Sequence, residues 1–359
     1  MKPIIGITMG DPAGVGPEIT VKALADPQLY TICRPVVFGD QAAIRDAVSF
    51  TGSTLQIRVL SSAGEATGEA GVIELVDAAC LNQGDWQYGT VSALCGEAAF
   101  RYIQNAIEAA MRNEIAAVTT GPINKEALNL SGHHYSGHTE IFAALTGSRT
   151  YAMVLSTDVL RVIHVTTHVS LREACDRISR ERVLSVIHLA EEAGRLFGVA
   201  RPKIAVAGLN PHCSENGLFG HEEAEAILPA VEAAQAEGLC VYGPIPPDTV
   251  FVRAVAGEFD IVVAMYHDQG HIPLKLTGFR LDPKTGVYTS VGGVNSTIGL
   301  PIIRTSVDHG TAFDLSLIHI CKPPRRRGCT VFRANAEARQ RLRPDRPPAP
   351  GRACHVGAV

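Results

Sequence analysis

The chain carries nine cysteines, yet no two are spaced Cys-x-x-Cys and no regular cysteine spacing exists. That excludes a thiolate zinc motif and a disulfide framework, and predicts reduced thiols. No run approaches the ~20 apolar residues of a membrane-spanning helix. The opening Met-Lys-Pro-Ile-Ile-Gly-Ile-Thr-Met-Gly-Asp is too poor in apolar residues for a secretory signal, so a cytoplasmic location is expected. Excess positive charge is missing as well: a net charge of −4 argues against nucleic acid or an anionic membrane as the main partner. The glycine pattern is also incomplete. Gly10-Asp-Pro-Ala-Gly-Val-Gly-Pro-Glu18 follows the first strand and opens a helix, with Pro17 suited to its first turn. However, Ile19 stands where a dinucleotide fingerprint needs its third glycine, and no Walker lysine follows. The segment is expected to be a turn that shapes a cleft, whose backbone amides could face an anion.

With 359 residues, 46% of them hydrophobic, the chain can bury a large core as one big or two smaller domains. The apolar runs Ile4–Met9, Pro35–Phe38, Ala116–Thr119, Tyr151–Leu155, Arg161–Val165, Ile204–Ala207 and Ile261–Ala264 read as strands. Between them, Val91, Leu94, Ala98, Tyr102, Ala106 and Ala110 keep helical spacing, as do Val183, Ile187, Ala190, Ala193 and Leu196. Glu222–Glu237 predicts another helix, stopped by Gly238. This alternation predicts an α/β fold with a mainly parallel sheet. Residues 1–314 are expected to form a catalytic domain of two interleaved lobes facing each other across a cleft. After Asp314 the composition changes. Residues 315–359 hold 10 Lys and Arg against 2 Asp and Glu, with six prolines, whereas residues 1–314 hold 22 against 34. Such a segment cannot bury enough apolar surface to offset its ordering entropy, so a solvated basic tail, disordered or out of frame, is expected.

Three histidines close polar signatures at the ends of expected strands: Thr-Thr-His168, Gly-Leu-Asn-Pro-His212 and Met-Tyr-His267-Asp-Gln-Gly. Strand ends of an α/β sheet point into one crevice, where ligands bind. One histidine alone is ordinarily a hydrogen-bonded core or rim residue. Three in such signatures, without cysteine ligands, predict a metal site with an open coordination position, which suits catalysis better than structural support. His164 and His168 are four apart, but their Val, Ile and Thr neighbours favour a strand over a helical zinc pair. Only His168 is therefore taken as a ligand, and His271 is expected to be structural.

Ser136-Gly-His-Thr-Glu140 precedes an expected helix, and a helix N-terminus with a histidine and a hydroxyl can bind phosphate or carboxylate. Capping by Ser136 or Thr139, with His138 merely exposed, explains the same residues. Lys125 could reach an anion there, although a solvated helix position accounts for it as well. Lys275, Asn295 and Arg304 follow the third histidine. Arginine offers a bidentate fork for phosphate or carboxylate and lysine a point charge, although each alone is a surface cation by default.

Taken in order, the Gly10–Glu18, Ser136–Glu140, Thr166–His168, Gly208–His212, Met265–Gly270 and Arg304–Ala312 motifs resemble the 4-hydroxythreonine-4-phosphate dehydrogenase family, collinearly from residue 3 to Asp314. The resemblance implies a three-layer α/β/α fold of the isocitrate/isopropylmalate dehydrogenase kind. It implies NAD (NADP is the alternative), one divalent metal, and a homodimer with shared active sites. His168, His212 and His267 match its metal ligands; His138, Thr139, Lys275, Asn295 and Arg304 match its substrate contacts. Donors of this type favour zinc, with magnesium or cobalt as alternatives. One branch of the family acts on D-threonate or D-erythronate 4-phosphate. Tyr151–Leu155, Asn216–Gly220 and Gly270–Lys275 are similar to that branch.

The chemistry implied is hydride transfer from a secondary alcohol to NAD, then loss of the adjacent carboxylate, as in pyridoxal phosphate biosynthesis. Asp248 and Asp268 are candidates for orienting the histidines or moving a proton, and Lys275 for protonating the enolate. A zinc hydrolase or aldolase could use the same histidines without NAD, and a non-catalytic sensor of phosphorylated sugar acids would bind without turnover.

Overall fold

The computed structural model describes residues 1–283, 288–307 and 310–313, of which 288–291 are described by backbone alone. The expected tail, 315–359, and His309 lie outside the described residues. Fourteen strands occur among those described: Ile4–Thr8 (β1), Arg34–Gly39 (β2), Gln56–Val59 (β3), Val72–Asp77 (β4), Ala117–Thr120 (β5), Ala152–Ser156 (β6), Arg161–His164 (β7), Ile204–Ala207 (β8), Val241–Ile245 (β9), Ile261–Ala264 (β10), Phe279–Leu281 (β11), Tyr288–Val291 (β12), Val294–Ile298 (β13) and Arg304–Ser306 (β14). The described residues divide into two units: Met1–Arg149 with those of 294–313, and those of Thr150–Gly293.

In the first unit the strands run in the order β3-β4-β2-β1-β5-β14-β13. All neighbours are parallel except β13 and β14. Ile5, Ile7, Val36, Val37, Phe38 and Val118 are fully buried, as continuous apolar strands of a covered parallel sheet must be. Helix Ala93–Met111 lies against β1, β2 and β5 and is capped by the Ser92 hydroxyl, which accepts from the Cys95 N–H. It buries Tyr102, whose hydroxyl donates to the buried Asp40. Burying an aromatic of this size while satisfying its polar tip contributes roughly 1.5–3 kcal/mol.

The second unit has the order β6-β7-β10-β8-β9, parallel except for β6 with β7. Its core includes Leu155, Val162, Ala205, Val250, Val262 and Leu274. Helix Arg180–Leu196 begins at a Ser179 cap. The helix expected over Glu222–Glu237 is interrupted. A wide-turned segment, Glu223–Ile227, precedes the α-helix Leu228–Ala236, because Pro229 has no N–H to continue the tighter ladder. Among the described cysteines, Cys33, Cys80, Cys95, Cys175 and Cys213 are free. No helix among the described residues is long and apolar enough to cross a membrane.

Candidate functional site

In the second unit, β7, β10 and β8 are adjacent and parallel, so the segments carrying His168, His267 and His212 leave the sheet from the same edge. Hydrogen bonds brace these strand ends. The Thr166 hydroxyl donates to the Met265 carbonyl at 2.8 Å. Gln269 accepts from the Met265 N–H at 2.6 Å and donates to the Gly208 carbonyl at 2.8 Å. His168 and His267 are neighbours, with ring centroids 5.7 Å apart. They border a cavity of about 250 Å³ lined also by Thr166, Thr167, Leu171 and Tyr266.

His267 is oriented from its far side. Its Nδ1 donates to Asp268 Oδ1 at 2.6 Å, and this bond holds the exposed Asp268 below the usual carboxylate range. Nε2 then keeps its lone pair for a ligand, the arrangement usual for metal-binding imidazoles. Behind it, His271 stacks on His267 at 3.6 Å, and its Nδ1 is 2.9 Å from the His267 carbonyl. His271 is itself 4.8 Å from His164. Burial, with the His271 charge, pushes His164 down to about 3, and burial, with the His267 charge, pushes His271 to about 4, so both stay neutral at neutral pH. The structural reading of His271 accords with this packing.

His212 stands apart. It is exposed and begins a run of five non-glycine residues, His212–Asn216, all with left-handed backbone, φ between 46° and 68°. Such a conformation costs an L-residue roughly 1–2 kcal/mol. Among the described residues of the single chain, no three His, Cys, Asp or Glu side chains come together to hold a metal ion. The expected crevice of three imidazoles is not formed within one chain, because the turn leaves His212 at the surface. The donor chemistry still fits a divalent ion: two imidazoles are juxtaposed, one of them pinned by a carboxylate. Asp248 is exposed near this turn, and its charge helps raise the Cys213 thiol, which burial chiefly lifts to about 11. Lys275 is exposed, its Nζ 5.8 Å from the Phe279 ring centre.

The first unit gathers a different set. Arg304 on β14 is 2% exposed and donates to two hydroxyls, Thr120 at 2.8 Å and Thr297 at 3.0 Å, while its Nε has no partner among the described residues. Burial lowers this guanidinium to about 9, although the Glu140 charge opposes the shift. His138, at the start of helix His138–Thr146, also has a buried Nε2 without a partner among the described residues. Burial foremost, then the Arg304 and Lys125 charges, drives it well below its ordinary range. Thr139 Oγ1 lies 3.5 Å from Thr297 Oγ1, and Asn295 is on β13 two residues before Thr297. Lys125 itself is exposed, as a solvated helix residue would be. A buried cation facing hydroxyls and an unsatisfied imidazole is a cradle for an anion. The sequence did not point to Thr120 or Thr297, because single threonines in apolar strands carry no signal.

The Gly10–Glu18 turn does not offer its amides to an anion as expected. Asp11 N–H donates to Pro122 O, Ala13 N–H to Asp11 Oδ1, Gly14 N–H to Asp11 O and Val15 N–H to Thr311 O. Gly14 is required by the chain itself, since a Cβ there would lie 2.9 Å from Thr311 O. The turn buries Asp11, and burial raises its carboxyl from 3.8 to about 6 against the bonds from Ala13 and Asn124. The protonated form is the one the fold prefers. Its contribution is complete below pH 3.8 and lost as pH rises through about 6. At 1.36 kcal/mol per pH unit that is up to about 3 kcal/mol. Asp11→Asn should therefore stabilise the protein near pH 8 by up to about that amount, with the gain fading below pH 4. Denaturant unfolding across this range measures the effect, and a difference independent of pH would refute it.

Residues 31–323 match the family described as pyridoxal phosphate biosynthetic protein PdxA. The chain belongs to the PdxA family. It is 48% identical over 323 residues to the D-threonate 4-phosphate dehydrogenase of Pectobacterium atrosepticum, covering 90% of this chain and 96% of that protein. It is 49% identical over 319 residues to the 4-hydroxythreonine-4-phosphate dehydrogenase of Trichlorobacter lovleyi, covering 88% and 92%. Among solved structures, the 4-hydroxythreonine-4-phosphate dehydrogenase of Klebsiella pneumoniae superposes with a TM-score of 0.80 at 44% identity, covering 94% of this chain and 98% of that one. The PdxA family thus accounts for both the α/β architecture and the six collinear motifs.

Proposed function

We propose that the chain is an NAD-dependent, divalent-metal-dependent dehydrogenase that oxidises and decarboxylates a 4-phosphorylated hydroxy acid. The observation that carries the reading is Arg304, a buried guanidinium whose hydrogen bonds among the described residues go to the Thr120 and Thr297 hydroxyls and which stands beside His138. Such a charge needs an anion, and a phosphate fits it. Arg304, His138, Thr139 and Asn295 would hold the phosphate, and His168, His212 and His267 would hold the ion. A bound ion would supply polarisation of the substrate oxygen, and NAD would supply the hydride acceptor. Asp268 keeps His267 in the ligating tautomer, and Asp268 or Asp248 takes the hydroxyl proton. Once the alcohol is a ketone, the bond to the neighbouring carboxylate breaks, carbon dioxide leaves, and its electron pair forms an enolate. Lys275 returns a proton to that enolate carbon.

The first reading of the substrate is 4-hydroxythreonine 4-phosphate. D-threonate 4-phosphate is the second, supported by the 48% identity to a dehydrogenase of that name, as the first is by the 49% identity to a 4-hydroxythreonine-4-phosphate dehydrogenase. We further propose a cytoplasmic homodimer in which a second copy completes each ion site, consistent with the exposed His212. NADH formation from 4-hydroxythreonine, D-threonate and D-erythronate 4-phosphates, followed at 340 nm, tests the reading. Turnover of one of them with release of carbon dioxide is expected. No NADH from any of them, with hydrolysis or cleavage instead, would replace it by a zinc hydrolase or aldolase.

A further inference from the structure

The His212–Asn216 turn is left-handed at five successive residues, none of them glycine. A conformation this unfavourable persists only where its surroundings over-determine it. One buried carboxylate does so. Glu223 is 4% exposed, and its Oε1 accepts from the backbone N–H groups of Leu209 and Asn210, both at 2.7 Å. Its Oε2 accepts from the Asn210 side-chain amide at 2.9 Å and from the Ser214 hydroxyl, in the middle of the turn. Space for this is reserved at Gly208, where a Cβ would stand 2.8 Å from Cys213 Sγ and 3.1 Å from Glu223 Oε1. Gln269 ties the same Gly208 carbonyl to the Met265 N–H, and so to the strand end that carries His267. Burial favours the neutral acid, but the bonds from Ser214 and Asn210 outweigh it and hold Glu223 below its ordinary range.

We propose that Glu223 is a positioning residue that fixes the left-handed turn and thereby presents His212 as a metal ligand. Glu223 touches neither ion nor substrate in this account, which rests on the reading of His212 given under Proposed function. Losing such outer support lowers metal affinity about 10- to 100-fold where it has been removed from metal sites.

The test uses the full-length, metal-free protein and Co²⁺ alone as the probe, followed by its visible absorption. Hydrogen exchange of the segment 204–219 is measured in parallel. Glu223→Ala should raise the Co²⁺ Kd at least about tenfold and remove protection at Leu209 and Asn210, with far-UV circular dichroism retained. Glu223→Gln should recover most of the affinity, because its amide oxygen can still accept from both backbone N–H groups. Ser214→Ala, a milder change, should fall between. A folded Glu223→Ala protein with wild-type Co²⁺ affinity and spectrum would overturn the proposal. If that variant does not fold, Ser214→Ala decides, and unchanged affinity there overturns it equally. Wild-type affinity in His212→Ala would instead remove the ligand reading itself, which separates the two failures.

Discussion

Replacing Arg304 with glutamine is expected to lower kcat/KM for the phosphorylated acid about a thousandfold while raising the melting temperature. The two effects have opposite signs for one reason. Arg304 is 2% exposed, hydrogen-bonds the Thr120 and Thr297 hydroxyls, and is pulled down to about 9 by burial. Without an anion, the fold carries the desolvation cost of that charge, and a neutral side chain relieves it. With substrate bound, truncating a charge-assisted pair typically costs 2–5 kcal/mol, and about 4 kcal/mol corresponds to a factor of a thousand. Inorganic phosphate should raise the melting temperature of the wild type and leave that of Arg304→Gln unmoved. Equal kcat/KM in the two proteins, or equal turnover of the unphosphorylated acid by the wild type, would show that the cradle holds something else.

The second large effect is expected at His267. His267→Ala should reduce turnover below about a thousandth of wild type, as should removal of metal by a chelator, with activity returning to the chelated wild type alone when Zn²⁺ or Co²⁺ is restored. Asp268→Asn should be milder, because the amide oxygen can still accept from Nδ1 while losing the charge that stabilises this hydrogen bond. Mixing inactive His168→Ala and His267→Ala proteins under conditions of proven subunit exchange should restore part of the activity, since the proposed site draws on two copies. Full activity of thoroughly demetallated enzyme would end the metal reading. Absence of recovery after demonstrated exchange would end the shared-site reading.

Much of the architecture was legible because buried parallel strands are uninterrupted apolar runs. β1, β2, β5, β6, β7, β8 and β10 all fall within one or two residues of the expected positions. The strands that escaped notice are those that break this pattern. β3 is half exposed at the sheet edge. β4 carries Glu74, a buried carboxylate paired with Arg58 at 2.6 Å. β9 contains Gly243-Pro244, which an edge strand tolerates and a sequence pattern reads as a turn. In the candidate site, the histidine signatures stood out because polar clusters after apolar strands are unusual. The left-handed turn at His212 did not, since Pro-His-Cys-Ser-Glu-Asn holds no glycine to announce positive φ. Its clamp was hidden by distance: Glu223 lies 13 residues beyond the Asn210 N–H it accepts from and looks like an ordinary helix residue.

The split of the first unit has a consequence for synthesis on the ribosome. Its central strand β5 emerges early, whereas β14, which covers one edge of β5, is made only after the whole second unit. Thr120 and Arg304, hydrogen-bonded in the finished protein, are 184 residues apart. At typical translation rates of about 5–20 residues per second, the nascent chain exposes an open strand edge for roughly 10–40 s. An edge of that kind is a template for pairing with other chains. The second unit, continuous in sequence, can collapse during the wait. The proposed phosphate cradle is therefore among the last features to form, so a truncated nascent chain lacking β14 presents the apolar body of the unit without Arg304.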